Sequence, residues 1–457
     1  MACTAFQAVP SHASVRMCTG CSLPSSFHRA PTAIASLVWG TMMVLTGLTN
    51  ASFAQSVSCF PRLPLDHPDL SGVVFHPVGQ PVAPPFIPLE SDGQPQLVLR
   101  FDDLSAVNTP WEVRITHCDR HWLPSDLHPN EYVQGFYSTP VDDVEASFGT
   151  KTDFTHHVLA LPNEDMRWTL SGNYLLEVFD PNNETIPALT RRFVVYEDRC
   201  TIDATTGEPQ DIAIRRTHQE VHFTLHETVH PLLDPYDRLC VTVVPNRRWD
   251  LALSGLPPRF VKGAEIDYTR SGYVFEGGNT YRFVDLKGLD YSARGVERLE
   301  EHPDAWHFFL ETDDRRTFDY YGGGQDIHGG MVIHNDRLDP FTGSDHVWVH
   351  WRLDAKHQLV QRDVYLVGEF SQQQCNPAFK MAWDSQSGTY VHDHLMKQGY
   401  YNYHYVVREW DNRDDQAGAL ADLEGSHFQT NNLYSLFVYH WDNHDRVIGF
   451  AQWESNP

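Results

Sequence analysis

His346-Val347-Trp348-Val349-His350-Trp351-Arg352-Leu353 alternates strictly, with Val347, Val349, Trp351 and Leu353 falling on one face and polar or amphipathic side chains on the other. That period of two is the signature of a half-buried β-strand, because successive side chains on an extended backbone point to opposite faces. The pattern recurs upstream. Glu220 to His226 puts Val221, Phe223 and Leu225 on one face, and Glu112 to His117 does the same with Val113 and Ile115. Between such runs stand turn formers: Asp180-Pro181-Asn182-Asn183, Gly277-Gly278-Asn279, Gly322-Gly323-Gly324 and Ser387-Gly388. Helical periodicity is almost nowhere, so short strands and frequent breakers predict an all-β chain of tandem immunoglobulin-like β-sandwich domains.

The chain has 457 residues, enough for several cores, and the composition includes 12 Trp, 19 Tyr, 25 Phe, 29 Gly and 29 Pro, which suits sheets joined by turns. About three sandwiches of ordinary domain size, roughly 100 to 150 residues each, fit the length. The strand Arg191 to Glu197 reads as the last of a first sandwich at 55–198. A second is expected at 199–340, and Asp339-Pro340-Phe341-Thr342-Gly343 marks the passage to a third at 341–457.

Residues 1–54 differ from the rest. They contain Arg16 and Arg29, no acidic residue, an apolar run from Ala33 to Leu48, and the small-residue site Ser52-Phe53-Ala54. This is the plan of a cleaved signal peptide with a long basic lead, and an internal start at Met17 fits it equally. The apolar run is short for a membrane span. Sixty acidic against 34 basic residues give a net charge of −26, and loss of the two arginines takes it to −28. Such an excess repels phosphate, which excludes nucleic acid and disfavours anionic membrane surfaces.

Cys3, Cys18 and Cys21 leave with the signal, while Cys59, Cys118, Cys200, Cys240 and Cys375 remain. An odd number leaves at least one thiol outside any intramolecular disulfide, and no CxxC pair survives. Buried thiols with at most one disulfide are the expectation, the pairing being open. Cys59 lacks the leucine and small-residue spacing of a lipoprotein signal, so no lipid anchor is expected.

His226-Glu227-Thr228-Val229-His230 is a literal HExxH. In zinc peptidases a helix brings its two histidines one turn apart with the glutamate beside the metal-bound water. Here His226 ends an alternating strand and Pro231 follows His230. On a strand the two imidazoles stand about 13 Å apart, so the motif is read as a chance match. His117-Cys118-Asp119-Arg120-His121 has no second ligand pair and reads as a strand end and turn over Trp122. Asp102-Asp103 and Asp313-Asp314 are sequence neighbours that point to opposite faces of a strand. Neither a P-loop nor a Gly-x-Ser-x-Gly elbow occurs. Catalytic residues, cofactors and metal ligands are all expected to be absent, and partner-binding residues are left unassigned.

Val364 to Phe370, Phe379-Lys380-Met381 and Gly399-Tyr400-Tyr401-Asn402-Tyr403-His404-Tyr405 follow an order that resembles the early-set immunoglobulin-like sandwich of glycogen-binding modules. Those modules stack sugar on exposed tryptophans. The tryptophan expected after Phe370 is replaced by Ser371-Gln372-Gln373-Gln374, and an exported carbohydrate-binding protein is the alternative reading.

A wider resemblance runs along the chain: Phe101-Asp102-Asp103-Leu104, His117-Cys118-Asp119 with Trp122, Glu131-Tyr132 with Gly135-Phe136, Pro162-Asn163-Glu164, Ser171-Gly172-Asn173-Tyr174 and Arg191-Arg192-Phe193-Val194-Val195. Further on come Gln219-Glu220, Asn246-Arg247-Arg248-Trp249-Asp250, Phe275-Glu276-Gly277-Gly278-Asn279, Tyr281-Arg282-Phe283 and Leu423-Glu424-Gly425-Ser426. In this order they resemble the plug protein family of the type IX secretion system. Two positions depart from the usual pattern, Thr280 after Gly277-Gly278-Asn279 and Pro245 before Asn246. The resemblance implies a non-enzymatic periplasmic protein, associated with the inner face of the outer membrane, that binds the giant outer-membrane β-barrel translocon subunit and seals its periplasmic opening.

Overall fold

A computed structural model describes residues 60–455 apart from 91–93, 106–108, 229–231, 233, 290–292, 319, 337–338 and 411–416. The expected signal peptide, Cys59 and His230 lie outside the described residues. Strands dominate, and residues 54–457 form one compact unit. Among the described residues no helix is long and apolar enough to cross a membrane.

The first sandwich packs a four-stranded sheet, ordered Leu70–Pro77, Leu97–Asp103, Thr155–Leu161, Asp143–Ala146, on a five-stranded one. The second sheet is ordered Phe86–Pro88, Leu189–Tyr196, Gly172–Phe179, Glu112–Cys118, Ser138–Pro140. Alternate residues of both sheets make one core, in which Leu97, Phe101, Val113, Ile115, Tyr174 and Phe193 are fully buried. Leu189–Tyr196 is the last strand of this sandwich.

The remaining two sandwiches are not consecutive. One joins Cys200–Gly207, His218–Glu227, Glu265–Asp267, Phe260–Lys262 and Val274–Glu276 to a second sheet ordered Leu253–Ser254, Leu239–Pro245, Leu433–Trp441, Asp445–Glu454. The chain thus leaves this sandwich after Glu276 and completes it only from Leu433. The strands between form the inserted sandwich. Its smaller sheet has Gly399–Glu409 paired with Arg282–Asp285, Met331–Ile333 and Arg362–Val367, and its larger sheet is ordered Val296–Glu301, Trp306–Leu310, His346–Asp354, Thr389–Lys397, Ala382–Asp384. The division expected at residue 340 therefore runs through shared sheets: Trp306–Leu310 pairs in parallel with the strand on the other side of that boundary. Alternation marks which residues face a core but carries no information on which strand is the neighbour. The faces themselves are as read, with Val221, Phe223, Leu225, Val347, Val349, Trp351 and Leu353 all buried.

Candidate functional site: the joints between the sandwiches

The motif residues gather where sandwiches meet. Asp102, at the end of Leu97–Asp103, is fully buried. Its Oδ2 accepts from Lys397 Nζ at 2.5 Å, its Oδ1 from His156 Nδ1 at 2.7 Å, and His346 Nε2 lies 3.4 Å away. Lys397 belongs to the inserted sandwich, so this buried cluster ties it to the first, and Lys397 also donates to the Phe341 carbonyl. Burial pushes the Asp102 carboxyl up, but Lys397, the His156 hydrogen bond and His346 outweigh it and leave it below the ordinary value. Asp103 points the other way, accepting from Trp111 Nε1 at 3.0 Å and the Ser105 amide at 2.8 Å.

The first and second sandwiches meet through an apolar joint. Trp122 packs edge-on to Trp249 with ring centroids 4.8 Å apart, and the Arg192 guanidinium sits 4.8 Å from the Trp122 ring centre. Phe86, Phe437, Val194 and Tyr439 pack in the same cluster. Asn173 holds its rim: its Nδ2 donates to the Asp119 carbonyl at 2.9 Å and its Oδ1 accepts from Tyr439 at 2.9 Å. Asp119 Oδ1 accepts from the His121 and Leu123 amides, which shapes the turn that presents Trp122. Gly172 is required beside it, because a Cβ there would stand 2.2 Å from His117 Nε2.

The hinge of the inserted sandwich is ionic. Glu424 is fully buried between Arg282, at 3.1 Å, and Arg316, at 2.6 Å, and accepts from the Tyr405 amide at 2.9 Å. Burial raises its carboxyl, but the two guanidinium groups prevail and bring it to about 2. Asn279 Nδ2 donates to the Glu424 carbonyl at 2.7 Å, and Ser426 Oγ accepts from the Gly278 amide at 3.1 Å, so the outgoing and returning strands are tied together. A Cβ on Gly277 would lie 2.0 Å from the His427 carbonyl oxygen. Gln219 joins the same hinge, donating to the Phe428 and Thr430 carbonyls and accepting from Asn432 and Tyr434. Buried Arg248 grips Asp250 through two bonds of 2.8 and 2.7 Å and reaches the Ala417 carbonyl at 2.9 Å.

The remaining candidates stay apart. His226 is the penultimate residue of the strand His218–Glu227 and lies 3.0 Å from Asp203, while Glu227 accepts from the Leu232 amide. His117 is the penultimate residue of the strand Glu112–Cys118, with Nδ1 2.9 Å from Ser125 Oγ. Cys118, Cys200, Cys240 and Cys375 are free buried thiols, and burial pushes Cys118 and Cys200 up to about 12. Asp313 holds Arg282, Tyr403 and Tyr405, while Asp314 pairs with Lys356. Of the motif aromatics, Phe136 alone is well exposed, at 65 %, with Tyr137 beside it at 51 %. Gln372 and Gln374, where the sugar-stacking tryptophan was expected, bond instead to Asp66 and to the Pro64 and Leu63 carbonyls of the N-terminal segment.

Burial depresses three histidines at these joints: His117 to about 4, His346 to about 4 and His404 to about 3. Their unfolded counterparts titrate near 6.5. The unfolded chain therefore takes up protons first as pH falls, so stability is complete above about 6.5 and declines from there to about 4 for His117 and His346 and to about 3 for His404. Between pH 6.5 and 4 each group contributes at most about 3.5 kcal/mol to that decline at roughly 1.4 kcal/mol per pH unit. Urea midpoints measured from pH 7.5 to 4 should fall steadily across that window, and a flat profile would contradict the assignment.

Residues 70–197, the first sandwich, match the family model described as "Type 9 secretion system plug protein 1st domain". A crystal structure of a hypothetical protein from Parabacteroides merdae is 29 % identical with a TM-score of 0.81, over 87 % of this chain and 100 % of that one. The partial N-terminal region of an enterococcal surface protein aligns at 6 % identity over 88 % of this chain and 98 % of that one, but its TM-score of 0.19 carries no weight. No curated protein matches the chain significantly.

Proposed function

We propose, from the premise that residues 70–197 match the first domain of the type 9 secretion system plug protein, that this chain is a periplasmic, non-enzymatic plug. It binds the outer-membrane translocon barrel of the type IX secretion system and closes the barrel's periplasmic opening. The observation that carries the reading beyond the family match is the character of the joints. Asp102–Lys397 and Trp122–Trp249 bind the first sandwich to the other two by buried contacts, Arg248–Ala417 and Gln219–Thr430 bind the inserted sandwich to its host, and Glu424–Arg282–Arg316 locks the root of the inserted one. A protein that stops a wide channel has to resist deformation, and buried joints of this kind resist domain motion far better than small polar interfaces do. The sugar-binding alternative has no comparable support, because the glutamines at the expected tryptophan site are used within the chain.

Affinity purification of the tagged protein from gently solubilised outer membranes tests the partner. A very large barrel subunit should co-purify in near-stoichiometric amount. Recovery of the exported protein without it would overturn the proposal.

A further inference from the structure

On the outer face of the inserted sandwich, His302 follows the strand Val296–Glu301 and His307 lies on its neighbour Trp306–Leu310. Their rings are 4.2 Å apart between centroids, tilted by 39°. Both imidazoles have one nitrogen already engaged. His302 Nε2 lies 3.3 Å from Glu300 Oε2, and a carboxylate only accepts, so the proton sits on Nε2 and Nδ1 keeps its lone pair. His307 is fixed through a relay. His350 Nδ1 donates to Asp393 Oδ1 at 2.6 Å, which leaves His350 Nε2 as an acceptor, and His307 Nδ1 donates to it at 2.9 Å. His307 Nε2 is then the bare nitrogen. Phe309 stacks on His350 at 4.2 Å, and the Arg298 guanidinium lies 3.8 Å from the Phe309 ring centre. Lys151 beside the site is held by the His302 carbonyl at 2.8 Å and by Glu301 at 3.1 Å.

We propose that His302 Nδ1 and His307 Nε2 form a two-imidazole clip for a divalent transition metal such as Zn2+ or Cu2+, with Glu300 and the His350–Asp393 pair as its outer support. A ligating imidazole whose second N–H is held by a carboxylate is the recurring way proteins fix tautomer and raise donor strength, and here each histidine has such a hold, direct for His302 and relayed for His307. Imidazole nitrogen selects zinc, copper or nickel over magnesium or calcium. Among the described residues no three ligating side chains are gathered at one point, so water fills the remaining positions. The clip is independent of the plug role.

Isothermal titration of the untagged full chain with ZnCl2, and electron paramagnetic resonance of the Cu2+ form, test it. One equivalent is expected, with nitrogen hyperfine coupling in the copper spectrum. The His302→Ala/His307→Ala double variant should lose that equivalent while keeping its circular dichroism. Asp393→Ala should weaken binding about tenfold or more, and His121→Ala, on an exposed turn of the first sandwich, should leave it unchanged. An unchanged stoichiometry in the double variant would overturn the proposal, as would equal effects of Asp393→Ala and His121→Ala.

Discussion

Replacing Glu424 with alanine is expected to cost about 3–5 kcal/mol, the range for removing one partner of a buried ionic group. The carboxylate is enclosed by Arg282 and Arg316 and also accepts from the Tyr405 amide, so its removal takes the shared counter-charge from two guanidinium groups and leaves the buried Tyr405 N–H without its acceptor. Arg282 retains Asp313, at 2.6 Å, which keeps the loss from being larger. Urea unfolding should show a lower midpoint. Because the hinge is where the inserted sandwich leaves and rejoins its host, proteolysis should begin near residues 277–282 and 423–430. A variant with wild-type stability and no new cleavage would show that the hinge does not depend on this ion cluster.

The second large effect is at Asp102. Lys397→Met leaves a fully buried carboxylate facing only His156 and His346, and about 3–5 kcal/mol should be lost. Asp102→Leu combined with Lys397→Met removes both charges, and an apolar pair of similar size is often as stable as the ion pair it replaces. The double variant should therefore recover most of what the single one loses. Equal losses in the single and double variants would mean that the cluster acts through packing rather than charge.

Much of the fold was legible because alternation is local. Val347, Val349, Trp351 and Leu353 declare their buried face within eight residues, and the structure buries all four. Insertion of one sandwich into another was not legible, since the pairing of Leu239–Pro245 with Leu433–Trp441 spans the whole inserted sandwich and leaves no trace in either strand's own pattern. The motifs have the same limit. Phe101-Asp102-Asp103 looks like the end of a strand, and the partner that explains Asp102 is 295 residues away. Asn173 looks like a turn residue, yet it reaches across 266 positions to Tyr439. One local signal did point toward the joints: charged and amide residues inside otherwise apolar strands, such as Asp102 and Gln219, which a core accepts only when they are paired.

The acidic excess fits this picture as the solvated exterior of a protein whose few buried charges are spent at joints. Rigidity, however, only matters to the proposed role if the chain does close a channel. The outer-membrane permeability of a strain lacking this protein, measured with a hydrophilic antibiotic too large for ordinary porins, tests that most directly. The deletion strain should become sensitised, with tolerance restored by the wild-type chain and restored poorly by the Glu424→Ala variant at equal abundance. Unchanged permeability in the deletion strain, with the translocon barrel present in normal amount, would contradict the plug role.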